Sequence, residues 1–390
     1  MKTDLKALAE VCKKNLLEDV IPFWEKHSPD DEFGGYFTCL DRTGAVYDTD
    51  KFAWLQGRQV WMFSSLYNNL EKRESWLRMA ENGAAFLEKH GRDKEGNWYF
   101  SMTRTGKPLV APYNISSDIY AAMAFGQLSR ATCSDRYARI AVDTFNNIIA
   151  RSENPKGKYT KAVPGTRPLI SYSMPMDICY LALEIEHLIE KDVVEQIIKK
   201  CIYEITELCC DKETGLIPEN NNPDGSISDS FEGRLLNPGN VIQAMWLIMD
   251  LAERNKDKTL AEKAVKITLD ILRISWDKEF GGIYYFLDIK GHPVQQLEWD
   301  QKFWWVHIET LVSLIKGYWH TGNNECLEWF WKVNDYTWSH YPDPEYGEWF
   351  GYLNRRGEVL LPLKGGKWKG CFHVPRGLYQ IWKTIDRLQG

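Results

Sequence analysis

The stretch DDEFGGYF, Asp30 to Phe37, opens on acidic residues, passes through a Gly pair and runs into aromatic residues. It recurs as DKEGNWYF from Asp93, DKETGLIPE from Asp211, DKEFGGIYYF from Asp277 and DPEYGEWFGYL from Asp343. A degenerate copy, NPKGKYTKAV, starts at Asn154. The starts lie roughly 60 residues or slightly more apart, and a period of that size marks a repeat architecture. Each copy leads into a turn: DRTG (Asp41–Gly44), TRTG (Thr103–Gly106), NPDG (Asn222–Gly225), DIKG (Asp288–Gly291) and NRRG (Asn354–Gly357). A Gly-ended turn between short aromatic runs predicts a β-hairpin. Between hairpins there is room for two helices. Val193, Ile197, Cys201, Ile205 and Leu208 are spaced as one helix face, and Ala244–Met249 begins another apolar helix. One such unit cannot bury its apolar face alone, so neighbours must stack. Neither terminal repeat reads as a polar cap, which favours closure. The expected fold is all-α: an (α/α)6 barrel of six helix pairs with short hairpins at one end, forming a single domain over residues 1–390.

Composition excludes several classes. Net charge is -6 and the basic residues are scattered, so a nucleic-acid surface is not expected. No apolar run is long enough to span a bilayer. The amino-terminal stretch carries Asp and Glu among its apolar positions and reads as an amphipathic helix, not a signal peptide. Nine Cys without C-x-x-C spacing argue against a zinc site or a disulfide framework, and free thiols suit the cytoplasm. There is no G-x-G-x-x-G after a strand, no G-x-S-x-G and no H-E-x-x-H. Most of the seventeen Trp, nineteen Tyr and sixteen Phe read as core filler, and some are expected to line a carbohydrate cleft, since aromatic faces suit the C–H faces of sugar rings.

The repeat also locates a site. Segments just after each hairpin enter the ring from the same end, and they carry Arg58, Asp118, Asp177, Asn240, His307, Glu309, His373 and Arg376. Of eight His, His27, His90, His187 and His340 read as surface or capping residues. His307 and His373 occupy the convergent position. His373, in GCFHVPR, fits a general base with a pKa near neutrality, and Arg376 fits a group that stabilises developing negative charge. Glu309, in WWVHIET, lies beside His307. Asp118, Asp177, Glu232 and Glu309 keep a glycoside hydrolase open, since that chemistry needs two facing carboxylates.

At FGGYFTCLDRTGAVYD, WLQGRQVWM, EGRLLNPG, QLEWDQKFWWVH, DPEYGEWFGYL and KGGKWKGCFHVPRGL the chain resembles the N-acylglucosamine 2-epimerase family, which includes cellobiose 2-epimerases and mannose isomerases. The resemblance covers nearly the whole chain and implies an (α/α)6 barrel. It also implies inversion at the sugar C2 through an enediolate, between N-acyl-D-glucosamine and N-acyl-D-mannosamine or a related aldose, without a cofactor for the chemistry. His373, Glu309, Arg58 and Arg376 match the family's functional positions. His307, Gln243, Trp305, Asp177 and Met176 are expected to hold substrate. The family's second His, after N-P-G, is Asn240 here, and the acidic residue expected one turn later is Gln243. A neutral amide is no base near neutral pH. That leaves three readings: an epimerase with another proton source on the second face, a one-base aldose–ketose isomerase, or a weak sugar-binding relative. The resemblance further implies a homodimer, and an ATP activator site at GKYTK, where Gly157, Lys158 and Lys161 would hold phosphates. No metal is expected.

Overall fold

The computed structural model describes residues 4–163 and 165–389. Outer helices α1 (Leu5–Lys14) and α2 (Ile21–His27) are joined by a π-helical turn, Asn15–Val20. Inner α3 (Ala53–Asn69), outer α4 (Glu74–His90), inner α5 (Ser116–Thr132) and outer α6 (Asp135–Arg151) follow. Then come inner α7 (Ser173–Glu184), outer α8 (Lys191–Tyr203) and the single turn α9 (Phe231–Arg234). Inner α10 (Pro238–Asn255), outer α11 (Lys258–Ser275), inner α12 (Trp304–Thr321), outer α13 (Asn324–His340) and inner α14 (His373–Gln389) complete the order.

Side-chain patterning decides which helices lie inside. On α3 every residue from Ala53 to Ser64 is buried, as a helix packed all round requires. On α6 only Ile140, Ala141, Thr144, Phe145 and Ile148 are buried, a single stripe that leaves the polar face to water. On α8 the buried stripe is Val194, Ile198, Cys201 and then Ile205, while Val193 is exposed. The expected face is therefore one residue out at its start, because the Val193–Val194 pair offers two phases and packing takes the second.

The inner helices touch in chain order, α3, α5, α7, α10, α12, α14. The ring then closes. Phe372, at the entry to α14, lies 5.3 Å from the Trp61 ring of α3, and α14 packs on α1, so the first outer helix completes the last pair. Short strands make the same connection at the rim. Lys51–Phe52 pairs with Ser101–Met102, Leu235–Leu236 with Leu287–Asp288, and Lys302–Phe303 with Tyr352–Leu353, each joining one repeat to the next. At the seam the Lys364 and Gly365 N–H groups donate to the Leu40 carbonyl at 3.0 and 3.2 Å. The hairpins anticipated at the Gly turns are short, as with Ser101–Met102 on Pro108–Val110 and Tyr352–Leu353 on Val359–Leu361.

Two recurring devices explain the motif residues. The opening Asp of three copies sits, buried, between a Lys of its own repeat and an Arg from the turn of the next. Asp30 accepts from Lys51 Nζ (2.8 Å) and Arg104 Nε (2.9 Å), and Asp277 from Lys302 (3.2 Å) and Arg355 (3.0 Å). Asp343 accepts from Lys364 (2.9 Å) and from Arg42 (2.8 Å), an Arg of the first repeat that closes the cycle. Burial alone would raise the Asp30 carboxyl, but the Arg104 and Lys51 hydrogen bonds hold it at about 2. The second device lies beneath the turns. Gly44, Gly106 and Gly357 have φ of +85°, +87° and +87°, and a Cβ on any of them would collide with His27, His90 or His340. Those His rings lie 4.8, 5.1 and 4.1 Å from Phe23, Phe86 and Tyr336, one turn earlier on the same outer helix.

Asp343→Ala strands Lys364 in the interior at the ring seam. It is expected to lower unfolding stability by about 3–5 kcal/mol in urea melts, whereas Glu18→Ala, breaking an exposed pair, costs under about 1 kcal/mol. The depressed Asp30 pKa sets the sign with pH: its stabilisation is full above the unfolded value of about 4 and is lost as pH falls through about 2. Melting temperatures from pH 6 to pH 2 should fall more steeply in the parent than in Asp30→Asn.

Candidate active site

The hairpin-side ends of the inner helices converge on the ring axis. Asp177, Tyr180 and Glu184 of α7 lie three and four residues apart, on one helix face. That face looks across the axis: the Tyr180 ring is 5.3 Å from Trp246 of α10 and 5.9 Å from the Arg376 guanidinium of α14. Trp61 Nε1 of α3 donates to Glu184 at 2.9 Å.

Glu309 is the hub. Its buried carboxylate accepts from His373 Nδ1 (2.8 Å) and Arg376 Nη2 (2.6 Å) on one oxygen, and from Trp246 Nε1 (2.9 Å) on the other. Burial works against its charge, yet Arg376 and His373 hold it at about 2. An ionised carboxylate only accepts, so His373 Nδ1 carries the hydrogen and Nε2 keeps its lone pair. Burial lowers His373 to about 4 against the raising effect of Glu309, with Arg58 and Arg376 adding to the fall. The imidazole is therefore neutral at physiological pH, with one orientation and one tautomer. The Trp305 ring lies 5.7 Å from it.

Arg58 is held by rings rather than by acid. Its guanidinium lies 4.5 Å from Trp54, 4.1 Å from Tyr120 and 4.5 Å from Phe372, and Nη2 donates to Tyr120 Oη at 2.6 Å. Among the described residues no carboxylate forms an ion pair with it, and its buried Nε has no partner. Such a cation is suited to an anionic ligand.

Local sequence explains the α10 corner. Asn237 caps the helix by accepting from the Asn240 N–H at 3.1 Å, with Pro238 in the first turn. Gly239 is required by Trp305, whose ring atoms would stand 2.7 Å from any Cβ there. Asn240 Nδ2 donates to Glu219 Oε1 at 3.1 Å, and the Tyr172 hydroxyl donates to the same oxygen at 3.2 Å. Burial raises the Glu219 carboxyl, with those two bonds opposing. Sequence reasoning missed Glu219. Its signal is positional: eight residues after the opening Asp the other copies carry Thr38, Ser101, Tyr285 and Gly351, and this copy alone carries an acid. Gln243 is buried one turn beyond Asn240 and, among the described residues, bonds to no other side chain.

Other expectations fail or weaken. His307 is fully buried, with Nδ1 against the Phe303 carbonyl and the Tyr341 hydroxyl (2.8 and 2.9 Å), while Nε2 accepts the Ile283 N–H (3.1 Å). It is a core residue, two positions from Glu309 and so on the opposite side of α12. Met176 is buried in the hydrophobic core. The Gly157–Tyr159 turn is on the surface with Lys158 and Lys161 exposed, but its amides are spent internally: Gly157 N–H on Asn154, Tyr159 N–H on Lys156 and Thr160 N–H on Gly157. Among the described residues those three amides are not turned to an outside ligand. Of the four glycosidase candidates, Asp118 is tied to Arg151, Glu232 sits outside near Arg167 and Glu309 is saturated, which leaves Asp177 without a facing free carboxylate among them. A cleft of about 600 Å³ at the far end of the inner helices holds Asp250 and Glu253 close to His320, but Lys316 Nζ already binds both Asp250 oxygens at 2.8 and 2.6 Å.

The model of the family described as N-acylglucosamine 2-epimerase (GlcNAc 2-epimerase) matches residues 35–374. The N-acylglucosamine 2-epimerase of Mus musculus is 37% identical over 97% of this chain and 93% of its own. The cellobiose 2-epimerase of Bacteroides fragilis is 25% identical over 95% of this chain and 97% of its own. The solved cellobiose 2-epimerase from Bacillus thermoamylovorans shares the fold, with a TM-score of 0.83 at 21% identity over 98% of this chain and 99% of that one.

His307→Ala is expected to destabilise the fold by about 2–4 kcal/mol, since it opens a cavity and strips buried partners. Its urea midpoint should fall while the imidazole NMR titration of His373 stays in place.

Proposed function

The chain belongs to the N-acylglucosamine 2-epimerase family, and we propose that it interconverts N-acyl-D-glucosamine and N-acyl-D-mannosamine by proton transfer at C2. The observation that carries this reading is the neutral His373, fixed by Glu309 with its Nε2 lone pair free. With the sugar ring open, Nε2 takes the C2 proton and the electron pair moves to the carbonyl oxygen. Glu309 steadies the imidazolium that forms. Arg58, which lacks a carboxylate partner, and Arg376 supply positive charge for the enediolate. Asn240, Gln243 and Trp305 line the same end and would orient the chain of the sugar. Inversion at C2 leaves the oxidation state unchanged, so the chemistry calls for no redox cofactor.

Residues 1–390 act as one catalytic unit in this reading. Nine free thiols support a cytoplasmic setting, and no described helix is long and apolar enough to cross a membrane. The homodimer is part of the proposal, supported by the exposed apolar side chains of Leu109, Val110, Val359, Leu360 and Leu361. ATP as an activator would rest on the exposed Lys158 and Lys161 beside Gly157, and no step is assigned to it.

Proton NMR in D2O with N-acetylglucosamine, N-acetylmannosamine, glucose and mannose tests the proposal. Loss of the C2 proton signal with growth of the epimer is the expected result, and ketose formation would instead favour one-base isomerisation. His373→Ala should lower turnover by roughly 10² to 10⁴, the worth of a positioned base. A variant near the parent rate would end the assignment.

A further inference from the structure

Inversion needs a proton on the face of C2 that His373 does not reach, and the amide at Asn240 cannot supply it. We propose that Asp177 is the second acid–base group of this site, exchanging a proton with C2 from the face opposite His373; the inference rests on the epimerase reading above.

The position comes first. Asp177 lies near the start of α7, on the face whose Tyr180 and Glu184 reach Trp246, Arg376 and Trp61 across the axis. In the ring order α3, α5, α7, α10, α12, α14, helix α7 is three steps from α14 in either direction. Asp177 and His373 therefore address the cleft from opposite walls.

The bonding state is the second observation. Glu309 takes three donors, Glu184 takes Trp61 and Gln127, Glu219 takes Asn240 and Tyr172, and Asp118 takes Arg151 and the Trp98 N–H on one oxygen, its other oxygen being buried without a partner. Asp177, half-buried, bonds to none of the described residues. A half-buried carboxyl with no protein donor is open to a ligand. Burial raises it to about 7, opposed only by Arg58, so near neutrality it is both a competent acid and a competent base.

The step balances. His373 Nε2 removes the C2 proton, the C2–H pair becomes the C1–C2 double bond, and the carbonyl π pair settles on O1. Asp177 then gives its proton to the other face of C2, and the O1 pair re-forms the carbonyl. The enzyme is left as imidazolium and carboxylate, the state from which the reverse reaction starts. Nothing is oxidised or reduced.

The test uses the full chain in D2O with each N-acetylhexosamine separately, following C2 exchange and epimer formation by proton NMR. Asp177→Asn is expected to lose epimerisation at least 100-fold, while one of the two epimers still exchanges its C2 proton within tenfold of the parent rate. That surviving exchange shows an intact first face. Epimerisation by Asp177→Asn within threefold of the parent overturns the proposal, as does a folded variant that loses exchange with both epimers. If circular dichroism shows Asp177→Asn misfolded, Asp177→Ser is read by the same criteria. Failure of the epimerase reading is distinct, because the parent itself would then exchange no C2 proton.

Discussion

A carboxylate that no single repeat can satisfy holds this ring together. Asp30, Asp277 and Asp343 are buried between a Lys of their own repeat and an Arg of the next. Leaving such a group half-paired is severely unfavourable, so each of these three repeats forces its neighbour into register. Because Arg42 of the first repeat serves Asp343 of the last, the run of linked repeats crosses the seam where the chain's two ends meet. The same Lys residues sit just before the inner helices. Lys51 precedes α3 and Lys302 precedes α12, which fixes where Arg58 and Glu309 project. The rigidity of the rim is thus transmitted to the cleft, and a triply bonded Glu309 needs that rigidity to hold one imidazole in one orientation.

Local pattern made much of this readable. The opening Asp, the Gly turns and the aromatic runs are short-range features, and their period fixes the number of helix pairs. The partners were not readable, because 21 residues separate Asp30 from Lys51 and 301 separate Arg42 from Asp343. The hairpin strands are as short as expected, and two or three residues of pairing suffice when the next repeat completes the ladder. At the site, His373, Glu309, Arg58 and Arg376 converge as their shared position after a hairpin suggested. His307 shared that position but not the helix phase: Trp305 and Glu309, one turn apart, both face the axis, and a residue midway between them cannot. Glu219 lay in a strand position that reads as structural in every other copy, so only its charge distinguished it.

The replacement of a His and an acid by Asn240 and Gln243 does not leave the corner without acid. Glu219 stands behind Asn240 and binds its amide, with Tyr172 on the same oxygen. A neutral amide there donates to Glu219 and carries no transferable proton near neutral pH. Proton chemistry then has to come from elsewhere on the ring, and the wall facing α14 carries the free carboxyl.

Charge balance joins these pieces. Glu309 and Arg376 cancel, leaving Arg58 as the excess cation among aromatic faces, where its charge is poorly screened. Asp177 is its nearest acidic influence. While Asp177 keeps its proton, the Arg58 charge is available to an enediolate. When Asp177 gives that proton up, the enediolate has been consumed and the new carboxylate takes its place as counter-charge. The cleft therefore never carries an uncompensated anion, and its net charge is the same before and after inversion.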